Sequence, residues 1–475
     1  MLFPSAVFLF AFLPFVLLVY YLSPRSWRNS ILLVASLFFY AWGETVYVLL
    51  MLVSVAANYG FGLALDRADP QRRKRWLAAA MVFNLGLLVV YKYSNFLVDN
   101  LNLGLALIGM HAIHLDPVHL PLGISFFTFQ AMSYVIDVYR FETRAQERFA
   151  NVALYISLFP QLIAGPIVRY HDVAEQIISR LHDPSLFVSG VRRFVIGLAK
   201  KLIIANACGA AADAAFAVPA AQLGTGLAWL GIICYALQIY FDFSAYSDMA
   251  IGLGRMFGFR FLENFNYPYI ATSLQDFWRR WHMSLSRWFR DYLYFSLGGN
   301  RISPRRTYVN LCIVFLLCGF WHGAAWNFVV WGALHGSFLA LERAGLGALL
   351  QRMPRLLRHL YTLTVVLVGW IYFRADSLAH ANHYLLALGG WSGERAVPGT
   401  VTWLLDPELV LTLVLGTVLS TPIYRWLSTQ LLQPRLQTGG PIYLAWQFAL
   451  VFGLLLVSAS YVAATTYNPF IYFRF

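Results

Sequence analysis

Long continuous apolar runs recur along this chain from residue 2 to residue 463. A bilayer presents a hydrocarbon core about 30 Å thick, which a helix crosses in about 20 apolar residues. In lipid every backbone N–H and C=O must be paired within the protein, so only helices and closed barrels can span it. A barrel strand alternates apolar and polar residues, giving weak hydrophobicity per segment. The runs here do not alternate, so helices are expected. Runs of suitable length fall near 2–22, 30–43, 46–65, 76–93, 95–110, 120–138, 187–206, 226–250, 307–321, 324–342, 358–373, 408–424 and 442–463. Several are short. The stretch 150–168 contains Pro160, Gly165 and Pro166, which break helices, and reads as re-entrant or buried. The sequence therefore predicts an all-α polytopic membrane protein. About 11 transmembrane helices are expected, with short re-entrant and amphipathic helices between them. No internal repeat or soluble segment is visible, so residues 1–475 read as a single integral membrane domain.

Charge supports this reading. Only 12% of the residues are charged and 59% are hydrophobic, whereas soluble domains carry about 25% charged residues. The net charge of +13 fits Lys and Arg gathering in cytoplasmic loops. A nucleic-acid partner would need a clustered basic face, and none is expected. Arg25 and Arg28 follow the first run, Glu44 the second, and Arg72, Arg73, Lys74 and Arg75 the third. Alternation then places the 72–75 cluster in the cytoplasm. No base precedes the first run and no small-residue cleavage site follows it, so 2–22 reads as a retained span. Cys208, Cys234, Cys312 and Cys318 all lie in apolar segments without a C-x-x-C pair. They suggest packed hydrophobes, not a disulfide framework or a metal site.

Three segments interrupt the lipid-span pattern. Residues 263–301 read ENFNYPYIATSLQDFWRRWHMSLSRWFRDYLYFSLGGNR. After Pro268, Leu274, Phe277, Trp281, Leu285, Trp288 and Tyr292 recur every three or four positions, which predicts one amphipathic helix. Its other positions hold Asp276, Arg279, Arg280, Arg287, Arg290 and Asp291. Such a helix can lie on anionic membrane lipid. It can also line a cavity mouth, where Arg279, Arg280, Arg287 and Arg290 would meet phosphates of a donor such as coenzyme A. The second segment, GFWHGAAWNFVVWGALHG (319–336), places His322 and His335 in apolar surroundings. Each is either a structural imidazole bonded to a carbonyl or a functional residue at membrane depth. On one continuous helix the two would stand about 140° apart, so a shared metal site is not expected. A neutral imidazole in an apolar cavity suits a general base. The third segment, LQIYFDFSAYSDMAIGLG (237–254), carries Asp242 and Asp248. They read as a proton-relay or ion site, or as a structural ion pair to a neighbouring arginine. Asn264, Trp321 and Asn327 are polar candidates for oxyanion donors only by proximity to these segments or through the resemblance described below.

The last residues, NPFIYFRF (468–475), are aromatic. Phe470, Tyr472, Phe473 and Phe475 could anchor at the lipid interface. Alternatively Tyr472, the only hydroxyl in the last six residues, is a transient acyl carrier. Its phenol would leave an ester more readily than an alkoxide does.

The combination FNYPYIATSLQDFWRRWHMSLSRWFRDYLY…LGGNR and FWHGAAWNFVVWGALHG resembles the membrane-bound O-acyltransferase family, in particular its alginate O-acetyltransferase branch. So do FLFAFLPFVLLVYYL, SFFTFQAMSYVIDVYR, LFPQLIAGPIVRY, YFDFSAYSDMAIGLG and the closing NPFIYFRF. The resemblance implies a ring of helices around a thin centre with the active site in a tunnel. It assigns the family histidine to His322 and matches His335 to the motif's second histidine. It further implies a multi-pass protein of the bacterial inner membrane with no bound cofactor. Acetyl-CoA would be the cytoplasmic donor, an SGNH-hydrolase-type protein the extracytoplasmic partner, and an exopolysaccharide such as alginate or cellulose the final acceptor. Physical chemistry is compatible: acetyl-CoA is too large and charged to cross a bilayer, whereas an acetyl group is small. A transporter or channel, or a scaffold docking secreted acetylases, would share the helices and the aspartates. Thioester chemistry separates the first from an acyltransferase, and tolerance of a change at His322 the second.

Overall fold

The structure is a computed structural model that describes every residue except 392–399, 428, 431–439, 465–466, 468 and 470–475. Among the described residues there are helices and no strands. They form two compact units, Met1–Val191 with Ala250–Leu262, and Arg192–Met249 with Glu263–Phe475.

The chain enters the first unit with α1 (Leu13–Leu22), α2 (Arg28–Ala41), α3 (Tyr47–Arg67), α4 (Pro70–Leu88) and α5 (Ser94–Leu107). Asp69 caps α4 by accepting from Gln71 N and Arg72 N, which satisfies two of its orphan donors. Between α3 and α4, Asn58 and Asn84 exchange amide hydrogen bonds of 3.1 and 2.7 Å. Buried amides at membrane depth find partners on a neighbouring helix in this way. Next come α6 (Ile124–Tyr139), α7 (Phe149–Ser157), α8 (Phe159–Leu162) and α9 (Tyr170–Ile178). Ile124 to Val138 are all buried, so α6 is a core helix with no free face. Residues 151–168 are buried throughout and form only the short α7 and α8, as Pro160 and Pro166 lead one to expect.

The chain continues through α10 (Pro184–Ala199), a π-helical turn (Lys200–Ala205), α11 (Asn206–Phe216) and the long α12 (Thr225–Met256). The second unit then adds α13 (Leu274–Arg280), α14 (Met283–Trp288), α15 (Pro304–His322), α16 (Trp326–Leu341) and α17 (Gly347–Arg352). It closes with α18 (Arg355–Arg374), α19 (Leu378–Leu388), α20 (Thr400–Leu404), α21 (Pro407–Leu419), α22 (Ile423–Leu427) and α23 (Pro441–Ala464). Among the described residues, six helical stretches are long and apolar enough to cross a membrane: Tyr47–Arg67, Pro70–Leu107, Pro184–Phe216, Thr225–Met256, Arg355–Arg374 and Pro441–Ala464. Phe8–Leu22 and Pro407–Leu419 are shorter apolar helices. The protein is a multi-pass membrane protein. Other runs expected to span form short helices, with 14 residues in α2 and 16 each in α6 and α16.

Asp242 and Asp248 are held by ion pairs. Lys201 Nζ lies 2.8 Å from Asp242, and both residues are almost fully buried. Lys200 Nζ and Arg193 each lie 2.8 Å from Asp248. Arg193 also pairs with Glu263. The structural reading of the two aspartates therefore holds, with lysines as the main partners.

Candidate active site

α15 and α16 are joined by three residues and form an αα-hairpin. Glycines permit their close approach. A Cβ on Gly319 would lie 3.2 Å from Cα of Gly332 and would overlap the Phe328 carbonyl oxygen. Small residues at a crossing let two membrane helices bring their backbones together. α15 ends on His322 because Gly323 adopts an extended conformation. The two histidines thus occupy separate helices, not the one continuous helix that the 140° separation assumed.

The hairpin brings both onto one indole. Buried His322 packs its ring against Trp321 at 4.9 Å, Trp331 at 5.2 Å and Phe373 of α18 at 5.0 Å. Fully buried His335 packs against Trp331 at 4.9 Å and Trp278 of α13 at 5.2 Å. Gly369 makes room: a Cβ there would come 2.7 Å from His335 Nε2.

The segment expected to be one amphipathic helix is broken. α13 stops at Arg280 and α14 starts at Met283, with His282 in left-handed backbone at φ 43°. Two hydrogen bonds impose the break: Met283 N donates to Asn264 O and Asn266 N donates to Arg280 O, both at 2.9 Å. Left-handed backbone in a non-glycine residue is costly and collects at functional sites. His282 is buried, with Nδ1 3.2 Å from Asn264 Oδ1. That oxygen also accepts from Ser284 N and Oγ, while Asn264 Nδ2 donates to Ser247. His282 Nε2 has no hydrogen-bond partner among the described residues. The sequence alone does not single out His282. The available signal was a lone histidine inside a Trp/Arg segment.

This network also bears on two oxyanion candidates. Asn264 Nδ2 is committed to Ser247, and Asn327 Nδ2 donates to the carbonyls of Tyr372 and Ala375 at 3.1 and 2.8 Å. Both N–H groups of the Asn327 amide are used in these bonds, whereas Asn264 Nδ2 makes one of the two that it can make.

Beside the hairpin lies a cavity of about 970 Å³, at the upper end of small-molecule sites. Its walls carry Arg279, Arg287, Arg290, Arg343 and Arg358. Arg280 is absent from them and turns instead to Asp276 at 2.9 Å and the Asn266 carbonyl at 3.3 Å. Of the four arginines expected at a cavity mouth, the structure thus brings together three, and adds Arg343 and Arg358. Glu342 is the only carboxylate in the wall among the described residues. It accepts from Leu274 N at 2.7 Å and Gln275 N at 3.1 Å, capping α13. Its charge is therefore spent on the orphan donors of a helix start. Arg290 forks onto Asp291, whereas Arg358 Nε is buried without a hydrogen-bond partner among the described residues. Leu311, Val314, Phe315, Cys318 and Leu339 form an apolar side, and Trp278 separates the cavity from His335.

Tyr472 lies outside the described residues. The chain just before it is fastened: Lys201 Nζ donates to Pro469 O, and Asn206 Nδ2 to Tyr467 O at 3.2 Å. Tyr467 Oη donates to Asp213, which also pairs with Arg374 at 2.7 Å. Arg374 directly follows Phe373, the ring against His322.

The family model for membrane-bound O-acyltransferases (MBOAT) matches residues 110–378. This range contains the arginine cavity and both hairpin histidines. The chain is 42% identical to a probable alginate O-acetylase of Pseudomonas aeruginosa, over the full length of both proteins. It is 38% identical to a peptidoglycan O-acetyltransferase of Helicobacter pylori, covering 83% of this chain and 80% of that one. A teichoic acid D-alanyltransferase of Bacillus subtilis is 32% identical over 48% of this chain and 61% of its own.

Proposed function

The chain belongs to the membrane-bound O-acyltransferase family and is an O-acyltransferase, and from that premise we propose that it takes acetyl from cytoplasmic acetyl-CoA for O-acetylation of an exported polysaccharide. The observation that carries this is the cavity with five arginines and one committed carboxylate, one aromatic wall away from the histidine hairpin. Arginine suits phosphate recognition because its planar fork makes paired hydrogen bonds. The donor's phosphates lie among the arginines and its thioester points toward the hairpin. His322 removes the proton from an acceptor hydroxyl as that oxygen attacks the thioester carbonyl. The C–S bond breaks, and coenzyme A leaves as the thiol with the proton that His322 returns.

The acceptor hydroxyl in this scheme is that of Tyr472. The anchoring of Tyr467 and Pro469 at Lys201, Asn206 and Asp213 supports it, because Arg374 links that anchor to the neighbourhood of His322. An SGNH-hydrolase-type partner outside the bacterial inner membrane then takes acetyl from the phenolic ester and passes it to the polymer. The relatives' names favour alginate, with peptidoglycan as the competing acceptor.

Purified protein incubated with radiolabelled acetyl-CoA tests the scheme. We expect label on the C-terminal peptide, at about one acetyl per chain for a single-site intermediate. Tyr472→Phe should remove the label and polymer acetylation while accumulating normally. His322→Gln should slow loss of the thioester by about 10²–10⁴-fold. Full polymer acetylation by Tyr472→Phe would leave the tail as an anchor. Full activity of His322→Gln would remove the base.

A further inference from the structure

Between the arginine cavity and His322 stand aromatic rings in series. Trp278 forms part of the cavity wall. Its ring meets Trp331 edge-on at 5.7 Å and His335 at 5.2 Å. Trp331 in turn meets His322 at 5.2 Å. A thioester held in the cavity therefore has to bring its acyl group past Trp278 and Trp331 before His322 can serve it.

These rings are densely packed, yet their polar atoms are unspent. The indole N–H groups of Trp278 and Trp331 are buried without a hydrogen-bond partner among the described residues. Both ring nitrogens of His335 are in the same state. Buried polar groups in native proteins are nearly always paired, and each exception calls for an explanation such as strain, a catalytic role, or a bound water or ion. The surroundings are apolar, with Phe315 at 5.1 Å from Trp278. An apolar niche edged by unpaired donors matches a short acyl group, a methyl beside a carbonyl oxygen. A longer chain would have to displace packed indoles.

We propose that Trp278, Trp331 and His335 form an acyl-selecting niche that admits the two-carbon acyl group and turns away longer ones. This rests on the reading that the donor occupies the arginine cavity and that His322 serves it. Trp278 is the size limit and the indole N–H groups receive the carbonyl oxygen.

The test uses the full chain in lipid nanodiscs with acetyl-, propionyl-, butyryl- and hexanoyl-CoA, measuring thiol release as kcat/KM. Wild type should fall steeply with chain length. Trp278→Leu should raise the butyryl-to-acetyl ratio at least about tenfold, the scale on which a pocket discriminates one methylene from the next. Trp278→Phe should raise it less, and carries the test alone if the leucine variant does not accumulate. Trp331→Phe keeps a ring and loses the N–H, and should lower kcat for acetyl with little change in KM. An unchanged ratio in active Trp278 variants overturns the niche, as does an equal loss for all four donors in both. If wild type releases thiol from every donor but its release is untouched in His322→Gln, the His322 assignment fails separately. If wild type releases thiol from none, the donor reading falls and the niche with it.

Discussion

His171 shows how one side chain can organise a turn in a protein with so few charges. Its Nδ1 lies 3.0 Å from Asp137 and 3.3 Å from Glu142, and its Nε2 lies 3.4 Å from Asp172. Arg169 pairs with Asp172 at 2.9 Å, and Arg140 approaches Glu142 at 3.9 Å. The three ligand atoms of Asp137, Glu142 and His171 are close enough together to hold a cation, but a protonated imidazole already fits among them. The hydrogen bond to Asp137 is the main reason the imidazole is held above its ordinary value. The sign follows from linkage: a folded-state value above the unfolded one stabilises the protein while the ring is protonated. That stabilisation is complete below about 6.5, the unfolded value, and fades as pH rises through the higher folded value. Wild type should therefore lose its thermal advantage over His171→Gln as pH is raised from about 6 to about 9, read as Tm in detergent. A difference in Tm that stays constant across that range would discard the charged imidazole. His322 and His335 were legible in the sequence because each is a lone ionisable group in an apolar run. His171 and His282 were not, because their significance depends on Asp137 and Asn264, 34 and 18 residues away in the chain.

At the scale of elements, the arginine cavity is assembled from distant pieces. Arg279, Arg287 and Arg290 come from the broken segment, Arg343 from the turn after α16, and Arg358 from α18. The sequence displayed the first three as one stripe but gave no reason to add the last two. Nor did it show the break at His282. A break of two residues, Trp281 and His282, leaves the three-or-four spacing of Leu274, Phe277, Trp281, Leu285, Trp288 and Tyr292 intact, while the backbone bonds that enforce it come from Asn264 and Asn266. The buried stretch 151–168 was legible because prolines act locally. If the arginines act by charge, changing Arg279, Arg343 and Arg358 to Gln should each raise KM for acetyl-CoA. A hydrogen bond to a charged group contributes about 1.5–3 kcal/mol, or roughly 10–150-fold in KM. The salt dependence of KM should also weaken in the triple variant. Arg280→Gln serves as the comparison, since Arg280 faces Asp276 outside the cavity. An Arg280 effect equal to the others would point to the lipid surface as the site of action.

At the scale of the molecule, orientation decides whether a cytoplasmic donor is possible. Arg73 donates to Leu65 O at 2.6 Å and to Val138 O and Tyr139 O at 2.8 and 2.9 Å. It thereby joins the last turns of α3 and α6 beside the start of α4, where helix C-termini favour a cation. The bases at 72–75 are thus on the same side as Arg140, Arg144 and Arg148, which follow α6. Bases gathered on one side mark the cytoplasm. The helical stretch Pro70–Leu107 is long and apolar enough to carry the chain to the other side, which would put the connection 108–121 to α6 there. Gln71, His111, Arg144 and Arg343 are all exposed, so each can report its side once changed to cysteine. In intact cells treated with a membrane-impermeant maleimide, His111→Cys should label, whereas Gln71→Cys and Arg144→Cys should label only after permeabilisation. Cys208, Cys234 and Cys318 are buried and should add little background. The reverse pattern would invert the first unit. Arg343→Cys asks a separate question, because that residue lines the arginine cavity proposed to take the donor. A cytoplasmic donor requires it to be protected like residues 71 and 144. Labelling at 343 from outside, with 71 and 144 still protected, would keep the topology and reject acetyl-CoA as the molecule that enters this cavity.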